Sequence, residues 1–414
     1  MERWFRLSQF NILAIVFLIG CSGPRHVKFS SPVDTRSKLV SDPIKQVFSI
    51  SELGVYATNN FDGARLNNFK KINDSTIALV IKPENTPINK SPYYAFKTWS
   101  DSPRTIYFQF DYPIGFKHRY LPKLKKLDQD WTKADSADVF FNDTIATLRM
   151  KINKDTTLLA AQKLFTSKDV KVWYSGLVKK HSLLINLKSA GRSTLGRNIP
   201  FLDIHSGSIL GKDIIVLLTR QHPPEVTGYM AFQSFLETIL DGSPLSNSFL
   251  NNYRILAFPI MNPDGVDLGH WRHNASGVDL NRDWSYYRQP EIRQVVDAIE
   301  TTIKEDNGRI ILGLDFHSTW HDVFYTNPQR EETTLPNFIT KWFAGLEANI
   351  PDYKVNEQSN DSSKPVSKGW FLKRFNAVGI TYEIGDNTHR DFIKLKGKVS
   401  ATEMMKILLN TLNN

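Results

Sequence analysis

Two side chains three residues apart, His222 and Glu225, open the chemical reading of this sequence. They sit in Arg220-Gln221-His222-Pro223-Pro224-Glu225, directly after an apolar run, and the two prolines stiffen the turn between them. A neutral imidazole and a carboxylate so placed can close on one metal ion, and this donor pair suits zinc. Alone the pair is a weak signal, because surface His and Glu often fall at this spacing by chance. Further polar residues add weight: Met261-Asn262-Pro263-Asp264-Gly265, then Arg272, then Asp279-Leu280-Asn281-Arg282, then His317-Ser318, and last Glu383. Taken singly, Glu383 reads as a solvated strand-edge residue, Arg272 as an ion-pair partner and Asp279 as a turn cap. Their joint order is what points to a site.

Such scattered residues need a scaffold that gathers distant strand ends. At 414 residues the chain is long enough for two folded units. From 47 to 164 the pattern is period-two alternation, clearest at 75–82, 104–111 and 146–152, with Asn, Asp, Pro and Gly between the runs. A small antiparallel β-sandwich is the simplest fold for that stretch. Beyond it, over 165–414, apolar strands alternate with helices. Strands are expected at 214–218, 253–260, 309–316 and 379–384, and helices at 170–181, 226–240, 291–304 and 401–412. That order predicts an α/β unit, a sheet covered by helices on both faces. In such sheets the site lies where strands end and loops begin, which is where His222, His317 and Glu383 fall. No internal repeat or low-complexity tract interrupts the chain.

The linked motifs resemble the zinc carboxypeptidase family: H-x-x-E, N-P-D-G, an Arg, D-x-N-R, a strand-end His-Ser and a strand-end Glu, over roughly 167–414. The resemblance implies that family's mixed α/β fold and one Zn2+ held by His222, Glu225 and His317. It implies that Asp279 hydrogen-bonds a zinc histidine and that Glu383 is the general base. Arg272 would stabilise the developing oxyanion, and Asn281 and Arg282 would hold the terminal carboxylate of a peptide or protein. Binding a chain end in this way makes an exopeptidase.

The sequence departs from the pancreatic type of the family in two places. Pro224 stands where that type has an Arg before its zinc Glu, and 358–363 has no tyrosine, the nearest preceding one being Tyr353. Both features look more like the cytosolic carboxypeptidase branch, whose members trim glutamates from protein tails behind a β-sandwich. Asn60-Phe61-Asp62-Gly63-Ala64-Arg65-Leu66 and Tyr93-Tyr94-Ala95-Phe96-Lys97 resemble the opening of that sandwich. The family's position for reading the terminal side chain falls on Lys368, and an ammonium there would favour acidic terminal residues. Two alternatives stand beside this reading: a zinc hydrolase of peptidoglycan stem peptides, and an inactive binding lipoprotein. The second would be expected to have lost a ligand or the base.

A formal charge of +10 is spread along the chain, with no basic run interleaved with aromatics, so a nucleic-acid partner is not expected. The lone cysteine, Cys21, follows Arg3, Arg6 and an apolar run at 12–19, and closes Leu18-Ile19-Gly20-Cys21. That arrangement reads as a signal peptide over 1–20, too short in its apolar part to span a bilayer. Its end resembles the bacterial lipobox. The resemblance implies acylation of Cys21, a polar tether over 21–46 and a lipid-anchored place in the cell envelope, with the outer membrane favoured.

Overall fold

The computed structural model describes residues 25–412 apart from 127, 143 and 144. The expected signal peptide and Cys21 therefore lie outside the described residues. No helix among those described is long and apolar enough to cross a membrane.

The first unit is a two-sheet sandwich. A six-stranded sheet holds Val47–Ile50, Val55–Thr58, Ala95–Ser100, Thr157–Ala160, Lys123–Lys126 and Thr132–Lys133 in that order. A five-stranded sheet holds Asn68–Lys71, Thr76–Val80, Arg104–Asp111, Ile145–Ile152 and Val139–Asn142. One pairing departs from the antiparallel expectation: Thr76–Val80 runs parallel to Arg104–Asp111. Alternation explains the packing, since Ile106, Phe108 and Phe110 point inward from one strand and meet Leu148, Met150 and Ile152 from its neighbour.

The second unit is an eight-stranded mixed sheet. Tyr253–Phe258, Asp213–Thr219, Arg309–Thr319 and Val378–Gly385 form its parallel centre. Ile185–Arg192, Asn198–Ile204 and Val323–Thr326 run antiparallel at the sides, and Glu357–Ser359 completes one edge. Apolar residues fill the central strands continuously because both faces are covered. Along Asp213–Thr219, Ile215 and Leu217 join the core under Val226–Ile239 and Arg390–Thr411, while Ile214, Val216 and Leu218 join the core under Pro290–Asp306 and Ser367–Phe375. The closing helix begins at Arg390, well before the expected 401. Its early Gly397 sits against the carbonyl of Ala231, so the glycine marks a close helix crossing and not a helix end.

Residues 25–46 carry no regular element, yet they are not a solvated tether. Val27 and Phe29 are buried in the second core, Val27 exchanges hydrogen bonds with Ser285, and Thr35 bonds Asp283. The hydropathy of this stretch is low because its few apolar residues are isolated, and a period-based reading gives isolated residues no weight.

Candidate active site

Three chain segments converge at the C-terminal ends of the parallel strands. After Thr219 the backbone turns through Arg220, whose φ of 57° lies in the left-handed region seldom taken by residues other than glycine. That kink delivers His222 and Glu225, and helix Val226–Ile239 starts immediately afterwards. His317 is delivered by its own strand. Glu383 is its register partner on the adjacent parallel strand, so the two stand side by side.

His222 and His317 present Nδ1 to the two oxygens of Glu225, at 2.8 and 2.6 Å, and their ring centroids are 4.9 Å apart. One donor atom from each of the three residues lies within 4.8 Å of the others, and all three are buried. The outer nitrogens are also engaged: Nε2 of His222 meets Asp279 Oδ1 at 2.9 Å, and Nε2 of His317 meets Asp315 Oδ2 at 2.8 Å. A carboxylate behind each imidazole fixes its tautomer and raises its basicity, as in known zinc sites. Two imidazoles and one carboxylate, with room for a fourth ligand, fit a catalytic zinc ion.

Electrostatics agree with a cation in this place. Burial disfavours charge on Glu225, but His222 and His317 outweigh it and hold its pKa well below the carboxylate range. Burial likewise opposes protonation of His317, and Asp315 and Glu225 override it, so that pKa is raised. Glu383 is pushed up to about 8 by burial and by Glu225, against the opposing pull of His317, Arg272 and Arg119. Its Oε2 is buried without a hydrogen-bond partner among the described residues. A divalent ion beside it would draw that pKa back down.

Arg272, Asn281, Arg282 and Lys368 line the same cavity, of about 370 Å³, and Asp279 stands behind it. Arg272 Nε donates to Asp279 Oδ2 at 2.6 Å, so one carboxylate joins the zinc-site histidine to this guanidinium. Arg282 is part-exposed and donates to the carbonyl of Asn281. Asn281 accepts from the backbone of Ser367 through Oδ1 and stands 3.4 Å from Nε2 of His317. Lys368 gives its ammonium to Thr326 O, Asn327 Oδ1 and Asn360 O at 2.9–3.2 Å, and burial lowers its pKa to about 8. Asn262 ties the turn to the Arg272 loop, donating to the carbonyls of Gln221 and His273 while its Oδ1 caps the short helix Pro263–Leu268.

Several residues at or behind the cavity were not expected. Asp315 could have been found, since it lies two positions before His317 on a strand and therefore shares its face. Tyr325 lines the cavity, whereas Tyr353 is buried in the first core. Asn89, Ser91 and Arg119 reach the cavity from the β-sandwich, and Arg119 pairs with Asp386 at 2.8 Å. No local pattern marks those three, because only docking of the two units brings them there.

A family model described as zinc carboxypeptidase matches residues 170–402. The chain belongs to that family. Among relatives, it is 27% identical over 181 residues to cytosolic carboxypeptidase 2 of Macaca fascicularis, covering 41% of this chain and 21% of that one. The chain thus spans about a fifth of that relative's length. It is 23% identical over 318 residues to the uncharacterised protein ZMO1242 of Zymomonas mobilis, covering 69% and 74% of the two chains. In fold this zinc carboxypeptidase family member is similar to a metallo-carboxypeptidase from Burkholderia cenocepacia, with TM-score 0.72 at 17% identity over 86% of this chain and 99% of the other. A metallo-carboxypeptidase from Pseudomonas aeruginosa, solved with (2-guanidinoethylmercapto)succinic acid, gives TM-score 0.66 at 17% identity over 85% and 98%.

Proposed function

We propose that the protein is a zinc-dependent carboxypeptidase that removes the C-terminal residue from peptides or proteins. The observation that carries this reading is the meeting of His222, Glu225 and His317 within 4.8 Å beside the unpartnered carboxylate oxygen of Glu383. When bound, the zinc ion would polarise the scissile carbonyl and acidify the attacking water.

The chain's own groups supply the rest. Glu383 accepts the proton released as water adds to the carbonyl carbon, then donates it to the departing amine as the C–N bond breaks. Arg272, fixed by Asp279, faces the oxygen on which negative charge grows. Arg282 and Asn281 hold the substrate's terminal carboxylate, a group that the guanidinium fork matches. Lys368 lies in the same cavity with no carboxylate among the described residues hydrogen-bonded to it, which supports a preference for acidic terminal residues. Acylation at Cys21 would hold the enzyme on the bacterial envelope, at the outer membrane.

The deciding experiment compares peptides ending in Glu, Lys and Phe, with zinc and with chelator, beside Glu383→Gln. Cleavage of the last bond is expected with zinc alone, with Glu fastest. The Gln variant should keep its zinc and lose about 10²–10⁴-fold in kcat. Endoproteolysis, or activity that survives chelation, would refute the reading. Cleavage of muropeptides but not of protein tails would move the substrate to peptidoglycan stems.

A further inference from the structure

The loop 269–277 that carries Arg272 is gripped by the β-sandwich as well as by the unit that bears the metal ligands. Three successive backbone amides, those of Trp271, Arg272 and His273, donate to the single carboxylate of Glu84 at 2.8, 3.0 and 2.8 Å. Glu84 belongs to the sandwich and is fully buried. Burial works against its charge, but His270, Arg65, His273 and the amide donors outweigh it and keep the carboxyl ionised, with a lowered pKa. Converging main-chain amides make a cradle for an anion, and here the anion is a side chain of the other unit.

The rest of the loop is held in the same way. The Trp271 ring lies in the sandwich core, edge-on to Phe116 at 5.2 Å and to Tyr112 at 6.3 Å. Asn85 meets His273 Nδ1 at 2.6 Å and donates to the carbonyl of Gly277 at 3.0 Å. Gly269, at φ 68°, packs so tightly on the carbonyls of Gly63 and Ala64 that a Cβ would collide with them. From the metal-bearing unit, Asp279 reaches the side chain of Arg272, Asn262 reaches the carbonyl of His273, and Gln289 and Glu291 accept from Asn274 Nδ2.

We propose that the β-sandwich is a working part of the active site, and that Glu84 is the positioning residue through which it aims Arg272 into the cleft. This rests on the role given to Arg272 above. Arg272 acts on the transition state, so a loosened loop should lower kcat and leave KM and zinc affinity unchanged.

The test uses the full chain. In the wild type, the amides of 271–273 should exchange with deuterated solvent as slowly as the central strands, and fast exchange there would overturn the clamp. In Glu84→Gln, which keeps one acceptor of two, exchange should quicken at 269–277 alone. Its kcat should fall about 10- to 100-fold with zinc retained. Glu84→Asp, which keeps the charge on a shorter arm, should fall between the two. A Gln variant with wild-type kcat, beside an Arg272→Ala variant that is strongly impaired, would overturn the inference and leave the carboxypeptidase reading standing. Wild-type enzyme that cleaves nothing with zinc would sink that reading instead, and the exchange measurement would still decide the clamp.

Discussion

On the proposed reading, the charge of Lys368 sets both terminal-residue preference and pH response. Its ammonium is satisfied by three neutral oxygens, and burial lowers its pKa to about 8, below the usual lysine value. The cation is therefore present below about pH 8 and is lost as pH rises through it. For peptides ending in Glu, kcat/KM should decline above that point, whereas peptides ending in Phe should not share the decline. Lys368→Met should abolish the difference between the two profiles, and parallel profiles in the wild type would remove Lys368 from recognition. At this scale much of the site was legible. The spacing of His222 and Glu225 hinted at a metal, but only the resemblance to the zinc carboxypeptidase motifs brought in His317 and Glu383. Asp315 was open to reasoning through strand periodicity. Nothing in the sequence could say that Lys368 would find three carbonyl-type partners, since these come from two separate chain segments, 326–327 and 360.

Helix Val226–Ile239 packs directly on the backbone of His317. Gly228 lies in its first turn, and a Cβ there would stand 2.2 Å from the carbonyl oxygen of His317. Gly228 N and Thr227 Oγ1 both bond the hydroxyl of Ser318. The helix that starts beside one ligand is thus pressed against the backbone of another. Gly228→Ala should cost about 1–3 kcal/mol of stability through overpacking. It should also weaken zinc binding, measured by competition with a chromogenic chelator, and unchanged affinity would show that His317 is held independently. The central strands were readable because burial on both sides leaves unbroken apolar runs, whereas only the second half of the closing helix Arg390–Thr411 was expected and helix Phe338–Asn349 was not. The edge strands Ile185–Arg192 and Glu357–Ser359, and helix Ser367–Phe375, were not, since their residues are half exposed or mixed in character. Ile185–Arg192 is placed by its hairpin partner Asn198–Ile204, and Glu357–Ser359 by Val323–Thr326, further back in the chain.

Across the whole molecule, the cleft is a shared construction. The sheet provides the metal ligands and Glu383, while the β-sandwich sends Asn89, Ser91 and Arg119 to the same cavity and grips the Arg272 loop. Sequence patterns mark the two units separately, but their mutual docking depends on contacts between residues nearly two hundred positions apart, such as Glu84 with Arg272. The snug N-terminal segment has a mechanical consequence. Tyr287 already bonds the carbonyl of Arg25, only four positions after Cys21. With Cys21 acylated, the leash between lipid and folded body could extend roughly 15 Å at most. The enzyme would then ride on the bilayer surface and meet only those chain ends that come down to it. On vesicles, energy transfer from a dye on the body to labelled lipid should be strong. Splicing a long Gly-Ser stretch in after Ser22 should weaken it, and equal transfer in both would mean that the body adheres to the membrane by itself.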